Sequence, residues 1–255
     1  MVHKILMGMT VALVSAYIGT QTVVPALADE VADETWNTTL AVGLDFTDGN
    51  SETMLGNVSL GTERDFGNDR IGFVVEGSYG ESRVDDDEGG SEKEPTSQNA
   101  RSALSYKKEF NGSYAYVDNT VLHDNMADVD YREVVGMGLG IFLIKSAENE
   151  FAFEYGIGHL WEKVDGVHNN YPVLRIAERW VQEISATSRF WESAEYVPKP
   201  EGFDEYLVNA EVGTEAAMNS HMNLRVVLKD SYDSIPAPDA EKNDVALTAS
   251  LVWKL

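Results

Sequence analysis

The sequence predicts an all-β protein, an antiparallel transmembrane β-barrel of about twelve strands preceded by a cleaved signal peptide. Three observations predict it. Long segments alternate apolar and polar residues with a period of two, as a strand does when one face meets a nonpolar medium. No stretch beyond the N-terminus holds the roughly 18 consecutive apolar residues that a spanning helix needs. Turn clusters such as Asp48-Gly49-Asn50-Ser51, Phe66-Gly67-Asn68-Asp69 and Asn111-Gly112 separate the segments. The segments run longer than the strands of a soluble sandwich, which are usually about five or six residues.

Residues 1–28 read as the signal peptide. His3 and Lys4 form the basic start, Ile5 to Ile18 are mostly apolar, and Ala26-Leu27-Ala28 supplies a small-x-small cleavage site before Asp29-Glu30. Residues 29–255 then form one barrel domain. The chain carries a net charge of −24, which argues against nucleic-acid binding and against docking on an anionic membrane surface. It has no cysteine, which removes disulfides and thiolate metal sites. Stability must therefore come from strand pairing, and closure into a barrel leaves no open edge.

The last segment, residues 245–255, shows the alternation most fully. Val245, Leu247, Ala249, Leu251, Trp253 and Leu255 share one face, and Val252 is the single large apolar residue on the other. At the start, Trp36, Thr38, Leu40, Val42, Leu44 and Phe46 oppose Asn37, Thr39, Ala41, Gly43 and Asp45, with aromatics at both ends as interfacial girdles require. The second strand turns Met54, Val58 and Leu60 outward and Asn57, Ser59 and Glu63 inward. The third turns Ile71, Phe73, Val75 and Tyr79 outward and Glu76 and Ser78 inward. The fourth, from Arg101 to Phe110, puts Arg101, Ser105 and Lys107 inward. The fifth, residues 113–122, has no clear facing, because Tyr114 and Tyr116 alternate with Ala115 and Val117. The ninth, residues 188–197, is equally poorly phased.

The sixth and seventh strands are regular. Tyr131, Val135, Met137, Leu139, Ile141 and Leu143 oppose Arg132, Gly136, Gly138 and Gly140. Phe151, Phe153, Tyr155, Ile157 and Trp161 oppose Glu154, Gly156, Gly158 and Glu162. No helix follows these glycines, so they are not a nucleotide loop; they thin the inner wall where opposing side chains or a plug need room. The eighth strand, residues 171–184, turns Leu174, Ile176, Trp180 and Ile184 outward, with Arg175, Arg179 and Glu183 inward and Glu178 misplaced on the outer face. The tenth and eleventh put Asn209, Glu211, Glu215, Arg225 and Lys229 inward. Connections after odd strands (84–97, 123–130, 233–244) are expected to be long and outer, those after even strands short and periplasmic. Every proline beyond residue 28 is expected in or beside an odd-strand connection, since proline cannot donate to a ladder.

The chain resembles the YdiY-like salt-induced outer-membrane proteins, a Gram-negative family of unknown molecular function. The resemblance rests on Asp48-Gly49-Asn50-Ser51 after the Trp36 strand, Tyr131-Arg132 followed by Gly136, Gly138 and Gly140, and Tyr155-Gly156-Ile157-Gly158. Ser231-Tyr232-Asp233-Ser234 before Pro236 and the final amphipathic strand add to it. It implies a protein of the bacterial outer membrane tied to osmotic or ionic conditions, with outer-membrane lipids and the barrel-assembly machinery as partners. It implies no catalytic residue and no cofactor.

The inward charges are the candidate functional set. A short turn between 218 and 222 sets Glu215 opposite Arg225 and Glu211 opposite Lys229, and parity allows Glu162 near Arg132 and Glu154 near Arg179. Such a set is either a mutually neutralising ladder that closes a narrow lumen, the favoured reading, or the constriction of a small, cation-preferring diffusion channel. Asp85, Asp86, Asp87 and Glu88 read as a solvated loop with at most weak divalent-cation binding. His123 and His168 are expected in outer loops, His159 on the lipid face and His221 in a periplasmic turn. They are too scattered for zinc or for a hydrolase.

Overall fold

In the computed structural model, residues 35–47, 53–85, 91–238 and 240–255 are described. They form twelve strands: β1 Asn37–Thr47, β2 Thr53–Phe66, β3 Asp69–Asp85, β4 Ser91–Phe110, β5 Ser113–Asp124 and β6 Val129–Lys145. The second half holds β7 Asn149–Val164, β8 Val167–Ser185, β9 Ser188–Pro198, β10 Tyr206–Ala217, β11 Met222–Asp233 and β12 Asn243–Lys254. Each pairs antiparallel with its sequence neighbours, and β1 pairs with β12, so the sheet closes. The closing register runs from Thr39↔Lys254 to Gly43↔Ser250, and the Leu255 N–H adds a 2.9 Å bond to the Thr38 carbonyl. The proposed signal peptide, the 48–51 turn and Asp86 and Asp87 lie outside the described residues.

The alternation in the sequence becomes two surfaces. Val58, Leu60, Phe73, Val75, Leu104, Met137, Ile141, Ile157, Val212, Leu228 and Leu247 are exposed on the outside, where hydrocarbon would cover them. Tyr196, Tyr206 and Tyr232 stand side by side near the long-connection end, Tyr196 tilted against Tyr206 and Tyr206 stacked on Tyr232, with centroids 5.5 and 5.7 Å apart. Trp180 and Phe190 pack together near the other end, 5.7 Å apart. These are the interfacial girdles.

The connections after even strands are short: residues 67–68, 111–112, 146–148, 186–187 and 218–221. Those after β9 and β11 are longer, at 199–205 and 234–242. Three expectations need correction. Residues 84–97 are not a loop, because β3 and β4 continue their pairing out to Asp85↔Ser91. β7 and β8 are joined by a two-residue turn, Asp165-Gly166, whose positive φ values of 48° and 72° match those of Asn111-Gly112 at the opposite end. β5 runs to Asp124 and β6 begins at Val129, so the connection expected over 123–130 is only 125–128. Consequently His123 and His168 sit on β5 and β8, and Pro95 and Pro172 lie inside β4 and β8.

The prolines are tolerated for visible reasons. Pro95 stands at a register shift, where Gly80 pairs with Ser97 and Glu81 with Pro95. Pro172 faces His159 on β7, while the β8–β9 ladder begins only at Ile176↔Tyr196. β4 runs beyond β5, whose ladder begins at Asn99, and β8 runs beyond β9, so neither proline interrupts a two-sided ladder.

β5 and β9 are phased after all, by large residues that face inward. Tyr114 and Tyr116 are buried in the lumen, in register with Gly140 and Gly138, and Asp118 is in register with Gly136. A Cβ on Gly140 would fall on the Tyr114 ring, one on Gly138 would come within 2.5 Å of the Tyr116 hydroxyl, and Gly156 faces the same hydroxyl. On β9 the buried Trp191 lies over Gly213 of β10 in the same way. The glycines are sockets for opposing side chains. Gly140→Ala should lower unfolding stability by about 1–3 kcal/mol through overpacking. In a Tyr114→Ala background the same change should cost much less, because the atoms that the new Cβ meets belong to Tyr114 alone. Denaturant unfolding of the two single variants and the double variant measures this.

Candidate functional site: the lumen

The inward faces of β4 to β9 carry a filled half of the lumen. At its centre Glu154 accepts hydrogen bonds from Lys107 Nζ (2.7 Å), Tyr114 Oη (2.5 Å) and Arg175 Nη1 (2.6 Å). Arg175 also donates through Nε to Glu195, and its guanidinium stands 5.0 Å from the Tyr116 ring centroid. Lys107 reaches Glu154 across two intervening strands, passing 4.8 Å from the Tyr114 ring centroid. Toward the long-connection end this half becomes apolar, where Val134, Leu160, Val173, Val197 and Leu207 pack together.

A second group occupies β9 to β11. Glu215, with no solvent exposure, accepts from Arg225 Nε and Asn223 Nδ2, both at 2.6 Å, and lies 3.4 Å from Arg189 Nη2. Trp191 Nε1 donates to Glu211 at 2.6 Å. The pairings Glu211↔Lys229 and Glu215↔Arg225 are in register, and so is Arg132↔Glu162, with a 2.6 Å bond from Arg132 Nε. Glu154 does not meet Arg179, which corrects that expectation. Its register partner is Ala177, two residues from each arginine, and Arg175 is the one held between Glu154 and Glu195.

Two ion pairs cross the lumen itself. Arg132 Nη2 on β6 donates to Asp233 of β11 at 2.8 Å. Lys229 of β11 reaches Glu76 of β3 at 3.4 Å, where Arg101 Nη1 also donates at 3.2 Å. The Glu76–Lys229 contact is longer than the 2.6 Å bonds of Arg132–Glu162 and Arg225–Glu215, and its side chains are 20% and 19% exposed. Above the Arg132 pair lies a vestibule of about 500 Å³, bounded by Tyr171, Lys199, Glu205 and residues 234–238. In the 199–205 connection Lys199 donates to Glu205 at 3.0 Å, which holds its ammonium above the ordinary lysine pKa.

The other half of the lumen is lined by small residues. Thr39, Ala41, Ser59, Gly61, Ser78, Thr248 and Ser250 leave a cavity of about 140 Å³, faced by Glu76, Arg101, Glu211, Arg225, Lys229 and Trp191. A single water needs only about 10–15 Å³. At the depth of this cavity the lumen is therefore eccentric, packed against β5–β9 and open along β12–β1–β2–β3, whereas the vestibule at the long-connection end lies against β6–β11.

Sequence reading left Glu76, Arg101, Lys107, Arg175, Arg189, Trp191 and Glu195 out of the candidate set. The signal for Trp191 was present, since an inward glycine on one strand calls for a bulky inward neighbour on the next. The cross-lumen pairs had no local signal, because they join strands with no shared ladder.

No arrangement suited to nucleophilic chemistry forms at the histidines. His123 Nδ1 lies 2.9 Å from the Asp130 carbonyl, His159 packs on Trp161, and His168 lies 3.4 Å from the Tyr131 hydroxyl. Ser220 Oγ is 2.7 Å from His221 Nδ1 in an exposed turn, where no carboxylate among the described residues holds the ring. Among the described residues, no group of His, Asp and Glu is placed to hold a metal ion.

Residues 40–255 match the family model described as protein of unknown function, DUF481. The chain belongs to that family, the YdiY-like family. Among solved structures it is similar to the NanC porin, with 7% identity and a TM-score of 0.51, over 86% of this chain and 99% of that one. The KdgM porin aligns over 87% of this chain and 99% of its own, with 7% identity and a TM-score of 0.47. At such identity the likeness to NanC shows the barrel fold alone. No curated protein matches the chain.

The buried pairs and the exposed ones should behave differently. Glu215→Ala leaves Arg189 and Arg225 without their shared carboxylate and should cost about 3–5 kcal/mol of unfolding free energy. Lys108→Ala, which removes a solvent-exposed pair with Asp69, should leave the denaturant midpoint unchanged.

Proposed function

We propose that the protein is a non-enzymatic barrel of the Gram-negative outer membrane whose lumen is a narrow, charged passage for ions and small polar solutes. The observation that carries this reading is the cavity along β12–β1–β2–β3, walled largely by small residues, faced by five charged side chains and spanned by the Glu76–Lys229 ion pair. Structural ladders and a passage coexist here: the tight pairs at Glu154, Glu162 and Glu215 hold the wall, and the Glu76–Lys229 pair narrows the opening. The exposed apolar belt supports outer-membrane lipids as the surrounding medium. Export by the signal peptide and insertion by the barrel-assembly machinery complete this reading, and the setting in osmotic or ionic stress rests on the family resemblance. The sequence-level preference for cations is not favoured by the cavity, which presents three cationic side chains.

The test is single-channel recording of the refolded protein in planar bilayers beside the Glu76→Ser/Lys229→Ser double variant. Small current steps are expected from the parent, and clearly larger ones from the variant because the cross-lumen pair is gone. Silence from both proteins, shown to be folded by heat-modifiable migration, would remove the channel reading.

A further inference from the structure

The charge around the lumen cavity runs against the charge of the chain. The whole sequence is strongly acidic at −24, yet the side chains that face the cavity include Arg101, Arg225 and Lys229 against only Glu76 and Glu211. Glu215, which holds Arg225, is fully buried behind it and is not among the lining residues. A solute in the cavity therefore meets the arginine and not the carboxylate that anchors it.

Donor counting gives the same direction. Two guanidiniums and one ammonium carry more N–H donors than two carboxylates carry lone pairs. Glu211 is further occupied by Trp191 Nε1, and Glu76 accepts from both Arg101 and Lys229. Arg225 Nη2, itself buried, has no hydrogen-bond partner among the described residues. A cation entering it would have to displace Arg101 or Lys229 from Glu76. An anion would instead meet an excess of cationic side chains, and its oxygens could accept charge-assisted hydrogen bonds from them. The hydroxyls of Ser59, Ser78 and Thr248, which line the same cavity on the strands beside the charged residues, suit a solute that carries hydroxyl groups of its own.

We infer that the cavity between Arg101, Arg225, Lys229 and the Ser/Thr wall is a selectivity site for small hydroxylated organic anions of the sugar-acid kind. The inference rests on the channel reading above and names what that channel prefers. Lys229 sits at the centre of it, since the same ammonium narrows the passage and attracts the solute. Charge neutralisation there should shift selectivity without dismantling the wall, because Lys229 is partly exposed and its neighbours keep other partners.

The experiment is the reversal potential of the reconstituted full-length barrel in a potassium chloride gradient, then with gluconate added on one side at unchanged chloride. The expected result is a reversal potential on the anion side and a loss of chloride current when gluconate is added. In Lys229→Gln the potential should move toward zero and the gluconate effect should fall, and Lys229→Arg should restore both. Current that flows with a cation-side or zero reversal potential, or that ignores gluconate, would overturn the inference and leave the channel reading standing. If neither the parent nor the Glu76→Ser/Lys229→Ser variant conducts, the channel reading fails by itself. Calorimetric titration of the folded barrel with gluconate and with choline then decides the site. Heat from gluconate alone, lost in Lys229→Gln, supports it, and no heat from gluconate ends it.

Discussion

A wall that stands in hydrocarbon can leave no backbone N–H or C=O unpaired, and the rest of this structure follows from that constraint. Twelve strands pair in sequence order and the last returns to the first, through a register that spans only Thr39↔Lys254 to Gly43↔Ser250. Once the ladder is closed, the pleat fixes which residues face lipid and which face the lumen. The outer surface then needs little more than apolar bulk. Everything specific to this protein is on the inner one.

The inner surface is organised by size before charge. Glycines on β6, β7 and β10 leave sockets that Tyr114, Tyr116 and Trp191 fill, and these rings form a floor over which Arg175, Lys107 and Arg189 extend. Because the large residues collect on β5–β9, the small ones collect on β12–β1–β2–β3, and below the vestibule the free volume lies to one side. The charges then sort by depth. Glu154 and Glu215 each take several donors and are buried, as ionised groups in a low-dielectric wall must be. Glu76 and Lys229, in contact with the cavity, stay long and partly exposed.

Much of this was legible in the sequence. Period-two alternation gave the strand number and the facing of ten strands, and Asn111-Gly112 marked a turn that the backbone confirms with two positive φ values. In-register partners such as Glu215 and Arg225 could be read because a short turn fixes the register on either side of it. What could not be read shares a physical cause. Tyr114, Tyr116 and Trp191 look like lipid-facing residues until their glycine partners on the next strand are known. Glu76 and Lys229, or Arg132 and Asp233, meet across the lumen, and no spacing along the chain encodes the distance across a barrel. The acidic 84–97 stretch misled for a different reason: its composition suits a solvated loop, but an acidic stretch can still pair as a hairpin, as β3 and β4 do out to Asp85↔Ser91.

The central claim is the eccentric lumen, and the absence of cysteine from the sequence makes it directly measurable. Single cysteines would be placed at Ser59 or Thr248 on the small-residue side and at Ala177 or Thr120 on the packed side. The labelling rate of each by a small water-soluble thiol reagent would then be compared in the folded barrel. Ser59→Cys and Thr248→Cys should react rapidly, and Ala177→Cys and Thr120→Cys slowly. Equal rates on the two sides, or faster labelling at Ala177→Cys, would contradict the account.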